Sequence, residues 1–163
     1  MARQVFFSFH YQRDIWRVNV VRNHWLTKPD AQAAGYWDHS LWEETKKKGD
    51  EAIKKMIDDG LAGSSVTAIL IGQETAGRTW IDYELTQSVK LGKCIIGIYI
   101  HQIANKDGST DRQGHNPLDD WTVKRNGQNV KLSSIYPTYD WKANNGYDNF
   151  AQWVEEAAKQ AVR

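Results

Sequence analysis

The chain has one cysteine, Cys94, among 163 residues, so no intrachain disulfide can form and no thiol cluster is available to a metal. Its five histidines include no H-x-x-x-H pair, and no metal site is expected. Charge of one sign is nearly absent as an excess: charged residues make up 25% and the net charge is +1. That balance argues against a nucleic-acid binder working by bulk phosphate neutralisation, while leaving room for a local basic patch. No apolar run approaches the roughly 20 residues of a membrane span, and no signal-peptide pattern is seen. The expectation is a soluble cytoplasmic protein, one domain over 1–163, with neither membrane nor nucleic acid as a partner.

Known nucleotide motifs are missing too. There is no G-x-x-x-x-G-K-[ST], which removes P-loop chemistry. There is no G-x-G-x-x-G after the first apolar run, which removes the usual dinucleotide fingerprint. The first and third candidate strands end in Ser8-Phe9-His10 and Gly72-Gln73, without the clustered Asp residues of a phosphoacceptor domain. Aromatics, by contrast, are abundant, with eight Trp and seven Tyr. Such side chains fill cores and also wall pockets, offering a flat apolar face with a polar edge.

Apolar patterning places the elements. VFFSF (5–9), VTAILIG (66–72) and CIIGIYI (94–100) read as strands buried on both faces. Between them lie helical patterns. DIWRVNVVRNHWL carries Ile15, Val18, Val21, Trp25 and Leu26 on one stripe, with Asp14 offered as N-cap. KKKGDEAIKKMIDDGL reads as one helix ended by Gly60 or Gly63, and RTWIDYELTQSVKLG as another, capped at Thr79 and stopped at Gly92. GYWD (35–38) is a candidate short strand. Asn126-Gly127 between two alternating runs predicts a β-hairpin over about 121–132. IYPTYDW (135–141) reads as an edge strand because Pro137 cannot donate to a ladder. A closing helix carries Phe150, Trp153, Val154, Ala157, Ala158 and Ala161 on one face. Strands alternating with helices imply an α/β fold: a doubly wound, mainly parallel sheet with helices on both faces. A loop and hairpin are expected over 102–133, placed over the site. Cys94, opening a buried strand, reads as a small apolar filler rather than a nucleophile.

TWIDYELTQS (79–88) raises the functional question. Trp80 stands at the mouth of a helix, and Glu84 follows one turn later with no Lys or Arg at i+4. In open α/β sheets ligands bind beyond the carboxyl ends of the strands, which is where this helix starts. Glu84 lies about 40° around the helix from Trp80, at the flank of the face marked by Ile81, Leu85, Ser88 and Val89. It is placed to lean over the sheet rim, although residue type alone makes a mid-helix Glu a solvated surface group. His10, at the end of the first strand, could donate to a ribose or phosphate oxygen. Arg13 and Arg17 could meet a pyrophosphate, with solvated helix charges as the simpler reading. Trp37 and Tyr83 join Phe9, His10 and Tyr11 as possible aromatic walls.

Three stretches carry a resemblance. VFFSFHYQRDIWRVNVVRNHW is similar to the opening strand and first helix of the bacterial TIR-like family. SVTAILIGQETAGRTWIDYEL resembles the third strand and third helix of that family, where Trp-x-x-x-Glu marks the NAD-consuming members. SSIYPTYDW with its Trp-bearing final helix is similar to the tail of the branch that serves Thoeris antiphage defence. The resemblance spans nearly the whole chain and implies a flavodoxin-like sheet. It further implies cleavage of the nicotinamide–ribose bond of NAD, as a substrate and with no prosthetic group. In this branch ADP-ribose is then cyclised into a nucleotide that activates a separate effector protein. Glu84 takes the catalytic position and Trp80 the motif position. Phe6, Ser8, Phe9, His10 and Tyr11, together with Trp80 and Tyr83, take the nucleotide-binding positions.

A carboxylate suits that chemistry. Nicotinamide leaves as a neutral molecule, so no general acid is needed, while the sugar left behind is cationic and a nearby carboxylate stabilises it. Water as acceptor gives ADP-ribose; a hydroxyl of the adenosine ribose gives a ring, which requires a folded dinucleotide and little water. The residues do not choose between the two, and the resemblance favours the cyclase. Two other readings stand beside this one: a non-catalytic TIR module acting by self-association, and a glycosyl-transfer enzyme on free nucleosides.

Overall fold

The computed structural model describes residues 3–37 and 39–161. A central sheet is built from β1 (Arg3–Ser8), β2 (Ala31–Ala34), β3 (Val66–Ile71), β4 (Cys94–Tyr99) and β7 (Thr138–Asp140). Its order is β2-β1-β3-β4-β7 and every pairing is parallel. This is the flavodoxin-like arrangement. Helices α1 (Tyr11–Leu26), α2 (His39–Lys47), α3 (Asp50–Ala62), α4 (Thr79–Lys90) and α5 (Gly146–Ala161) make the connections and close the fold. Strands β5 (Thr122–Arg125) and β6 (Gln128–Lys131) form a separate antiparallel hairpin. Its turn is Asn126-Gly127, both at positive φ, as the dipeptide predicts.

The strand period of two divides the core. Val5, Phe7, Ala68, Leu70, Ile96 and Ile98 face the side covered by α1 and α5, where they meet Val18, Val21, Trp25, Phe150 and Trp153. Ile69, Ile71 and Ile95 face the other side, against Leu85 of α4 and Leu118 and Leu132 of the long β4–β7 connection. Phe6 also points to that side and packs with Ile53, Ile57 and Leu61 of α3. Being covered on both faces explains the unbroken apolar runs of β3 and β4. No helix among the described residues is long and apolar enough to cross a membrane.

Four local readings are corrected. The second strand is Ala31–Ala34, just before GYWD; Gly35–Trp37 form the loop after it, and Asp38 lies outside the described residues. Short side chains beside the bulky β1 explain why hydrophobicity does not mark this strand. Helix α1 begins at Tyr11, one turn before Asp14; His10 is the N-cap residue, and Asp14 is fully buried within the first turn. The segment read as one helix is two, broken at Gly49, whose φ of 100° a side chain would strain. Of the two glycines offered as its end, Gly63 is the C-cap, and Gly60 lies inside α3 with its face against the Phe6 ring. Thr79 is the first residue of α4 rather than its cap, which is Arg78.

Gly35 fixes the turn out of β2. Its φ is 81°, and a Cβ there would run into the Phe7 carbonyl of the neighbouring strand. Gly35→Ala is expected to cost about 1–3 kcal/mol in urea unfolding, from left-handed strain plus the clash. An unchanged midpoint would show that this turn relaxes freely.

Candidate active site

The chain leaves β1 toward one face and β3 toward the other, which opens a crevice beyond their carboxyl ends. A cleft of about 430 Å³ occupies it, within the range of small-molecule sites. The β1–α1 junction gives Phe9, His10, Tyr11 and Gln12; the loop after β2 gives Gly35 and Trp37; α2 gives Trp42 and Lys46; α3 gives Ile57. The start of α4 and its approach give Gly77, Arg78, Thr79, Trp80, Ile81 and Glu84.

Glu84 is 5% exposed and forms part of the cleft lining. Ser8, the last residue of β1, is on the same strand face as Phe6, and its Oγ donates to Glu84 Oε1 at 3.0 Å. Burial pushes the Glu84 carboxyl up to about 8, and the Ser8 hydrogen bond partly offsets this. Among the described residues, no basic side chain makes a salt bridge with Glu84. The i+4 position explains part of this: Ser88 is buried and donates to the Glu84 carbonyl at 2.7 Å, which pins the helix rather than the carboxylate. Thr67 of β3 shares a 2.8 Å hydrogen bond with Ser88 and fixes α4 against the sheet.

Trp80 has both roles that its position allows. It lines the cleft, and it packs against the Phe6–Ile57 cluster with Tyr83 set edge-on at 5.9 Å. The opposite wall is a run of rings. Tyr11 stacks on Trp42 at 5.9 Å, Trp42 on Trp37 at 5.9 Å with only 13° between planes, and Phe9 lies 6.1 Å from Tyr11.

Of the residues expected at a nucleotide pocket, Phe9, His10, Tyr11, Trp80 and Glu84 meet in the cleft. Three do not line it. Phe6 is fully buried beneath Trp37, ring centroids 6.1 Å apart. Ser8 is fully buried and acts only through Glu84. The Tyr83 hydroxyl is turned to Asp58, at 2.9 and 3.0 Å, and burial and that carboxylate push it up to about 12. The expectation that 102–133 covers the site is also corrected: none of these residues lines the cleft, and Leu118, Trp121, Val123 and Leu132 pack beside α4 instead. Arg17 is no solvated helix charge. It is 1% exposed, with Nε donating to the Ile103 carbonyl at 2.6 Å and Nη1 to Asp111 Oδ2 at 2.7 Å.

Sequence reasoning missed Trp42, Lys46 and Arg78. The first two stand at i and i+4 on one face of α2, a spacing that would have paired them had that helix been separated from α3. Arg78 is the residue before α4 and is positioned only by the loop that follows β3. His10 is held below its ordinary range by burial, with the Arg78 and Arg13 charges adding to the effect. The cleft thus combines a buried carboxyl, a neutral imidazole, stacked aromatics and two cations. That combination fits an anionic ligand with flat rings and a sugar. Among the described residues, no group of His, Cys, Asp and Glu could hold a metal.

Comparison with known proteins agrees with this geometry. Residues 6–105 match the family model of the Thoeris protein ThsB TIR-like domain, running from the second half of β1 through β4 and taking in the whole cleft lining. The protein named "Putative cyclic ADP-D-ribose synthase ThsB1" from Bacillus cereus (strain MSX-D12) is 41% identical over 191 aligned positions. That alignment takes in 94% of this chain and 100% of the relative. With the sheet order, the cleft and both matches in agreement, the chain belongs to the TIR-like family of Thoeris ThsB proteins.

Proposed function

We propose that this protein cleaves the nicotinamide–ribose bond of NAD and closes the remaining ADP-ribose into a ring, producing a nucleotide signal for a separate effector in antiphage defence. The observation that carries this reading is Glu84, a carboxyl group buried in an aromatic cleft and held by Ser8 at 3.0 Å. The name of the Bacillus cereus relative supports it.

The chemistry follows from charge movement. The pyridinium of NAD carries a positive charge, and its approach favours the ionised form of Glu84. When the C1′–N bond breaks, nicotinamide takes the electron pair and leaves neutral, and the positive charge passes to the sugar. A carboxylate beside the ribose gains more from that charge in the transition state than from the pyridinium before it, so the interaction lowers the barrier. Ring closure forms a bond from an adenosine-side hydroxyl to C1′ and releases one proton. A carboxylate of raised pKa is a fitting acceptor for it. The Tyr11–Trp42–Trp37 wall provides faces on which the rings of a folded dinucleotide can stack, and limits water. Arg78 and Lys46 match the pyrophosphate.

One experiment tests activity and outcome together. Purified protein is incubated with NAD from pH 6 to 9, with nicotinamide release followed and the co-product weighed. kcat/KM reports the free enzyme. It should climb roughly tenfold per pH unit and level off above about 8, where Glu84 ionises. The co-product should be one water lighter than ADP-ribose. A flat profile removes ionised Glu84 from the chemistry, and ADP-ribose alone makes the protein a hydrolase.

A further inference from the structure

A line of alternating charges runs from the core to the mouth of the cleft. Arg17 is buried and bonded to Asp111 Oδ2 at 2.7 Å. The same oxygen receives Arg13 Nη2 at 3.3 Å. Arg13 Nη1 reaches Glu74 Oε2 at 2.8 Å, and Glu74 Oε1 lies 3.7 Å from Arg78 Nη2. Arg78 Nε also donates to the Glu74 backbone carbonyl at 3.3 Å. Each carboxylate therefore bridges two guanidiniums, and the last of these lines the cleft. Arg78 is the N-cap residue of α4 and its carbonyl accepts the Asp82 amide at 2.9 Å, so its backbone is fixed while its side chain is half exposed. Glu74 does not line the cleft.

From this we infer that Glu74 is a positioning residue: it fixes the Arg78 guanidinium at the cleft mouth so that Arg78 binds the pyrophosphate of the dinucleotide. The inference rests on the NAD reading above. A half-exposed arginine without such a brace samples many rotamers and loses entropy when it captures an anion. The Glu74 backbone carbonyl takes Nε and its carboxylate faces Nη2 at 3.7 Å, which leaves Nη1 for the phosphate, and the Arg13 bridge holds the Glu74 carboxylate in turn.

The sign of the effect separates positioning from simple charge. Removing a carboxylate near an anion site makes the site more positive, and on charge alone Glu74→Gln should bind NAD more tightly. Positioning demands the reverse. Glu74→Gln is expected to raise KM for NAD about tenfold with kcat within about twofold. Inhibition by ADP-ribose, which keeps the pyrophosphate, should weaken in parallel, while inhibition by nicotinamide, which has none, should not change. Glu74 is exposed, so the variant is expected to fold; circular dichroism checks this. Unchanged or lower KM overturns the inference and leaves the NAD reading standing. Equal weakening for ADP-ribose and nicotinamide also overturns it, since that pattern marks a general distortion. A parent protein that neither binds nor cleaves NAD removes both.

Discussion

Glu84→Gln is expected to reduce nicotinamide release by at least about 10³-fold while NAD still binds. Glutamine keeps the shape and still accepts the Ser8 hydroxyl, but it cannot carry the charge that steadies the sugar. The same substitution should stabilise the fold. An unfolded Glu ionises near 4.5, and burial holds this one to about 8. The unfolded chain therefore releases its proton first, and native stability drains away as pH rises between those values. Glutamine has no such dependence. The gain in Tm over the parent should be near zero at pH 4 and reach several degrees by pH 8. Lost activity with raised Tm is the signature of a site that trades stability for chemistry. Activity within tenfold of the parent would end the catalytic role of Glu84, and a lowered Tm would show that its burial has been misjudged.

The second large effect falls on the buried cation. Arg17→Ala removes the partner shared by Asp14, Asp111 and two backbone carbonyls, and should cost about 3–5 kcal/mol in urea unfolding. Asp14 makes the loss depend on pH. It is fully buried, its carboxyl packs over Gly72 just after β3, and neither oxygen accepts a hydrogen bond from the described residues. Burial pushes it up to about 6, with the Arg17 and Arg13 charges holding it down. Because the folded value lies above the ordinary 3.8, the Asp14 contribution falls from that pH up to about 6 and then no further. Without Arg17 the folded value rises and the loss continues to higher pH. The deficit of the variant should therefore be larger at pH 8 than at pH 5. Equal deficits at both pH values would show that Asp14 and Arg17 are not coupled. Hydrogen exchange should also quicken at residues 101–111, which Arg17 ties to α1.

Those two residues mark the boundary of what the sequence discloses. β3 and β4 were legible because burial on both faces leaves an unbroken apolar run, and the hairpin because Asn-Gly fits only a few turns. Glu84 was legible in part: helical spacing put it at the sheet rim beside Trp80, but its partner Ser8 is 76 residues away and belongs to another element. β2 was not, since AQAA gains its place by pairing with β1 rather than by its own hydrophobicity. Arg17 looked like any charged helix residue, because its partners come from a loop some 90 positions later. Lys46, on α2, and Arg78, at the N-cap of α4, join the cleft only through the three-dimensional arrangement of their elements. Local period reads elements and faces; long-range polar pairing has no local signature.

The two border strands have a consequence for how copies of the chain can meet. β2 contributes four residues and β7 three, the latter directly after a proline. So short a fringe presents few unused amides and carbonyls, which makes a poor template for an incoming strand. Growth of the central sheet into a continuous intermolecular ribbon is thereby discouraged, which leaves the helical flanks, the loops and the separate hairpin as the surfaces through which copies can meet.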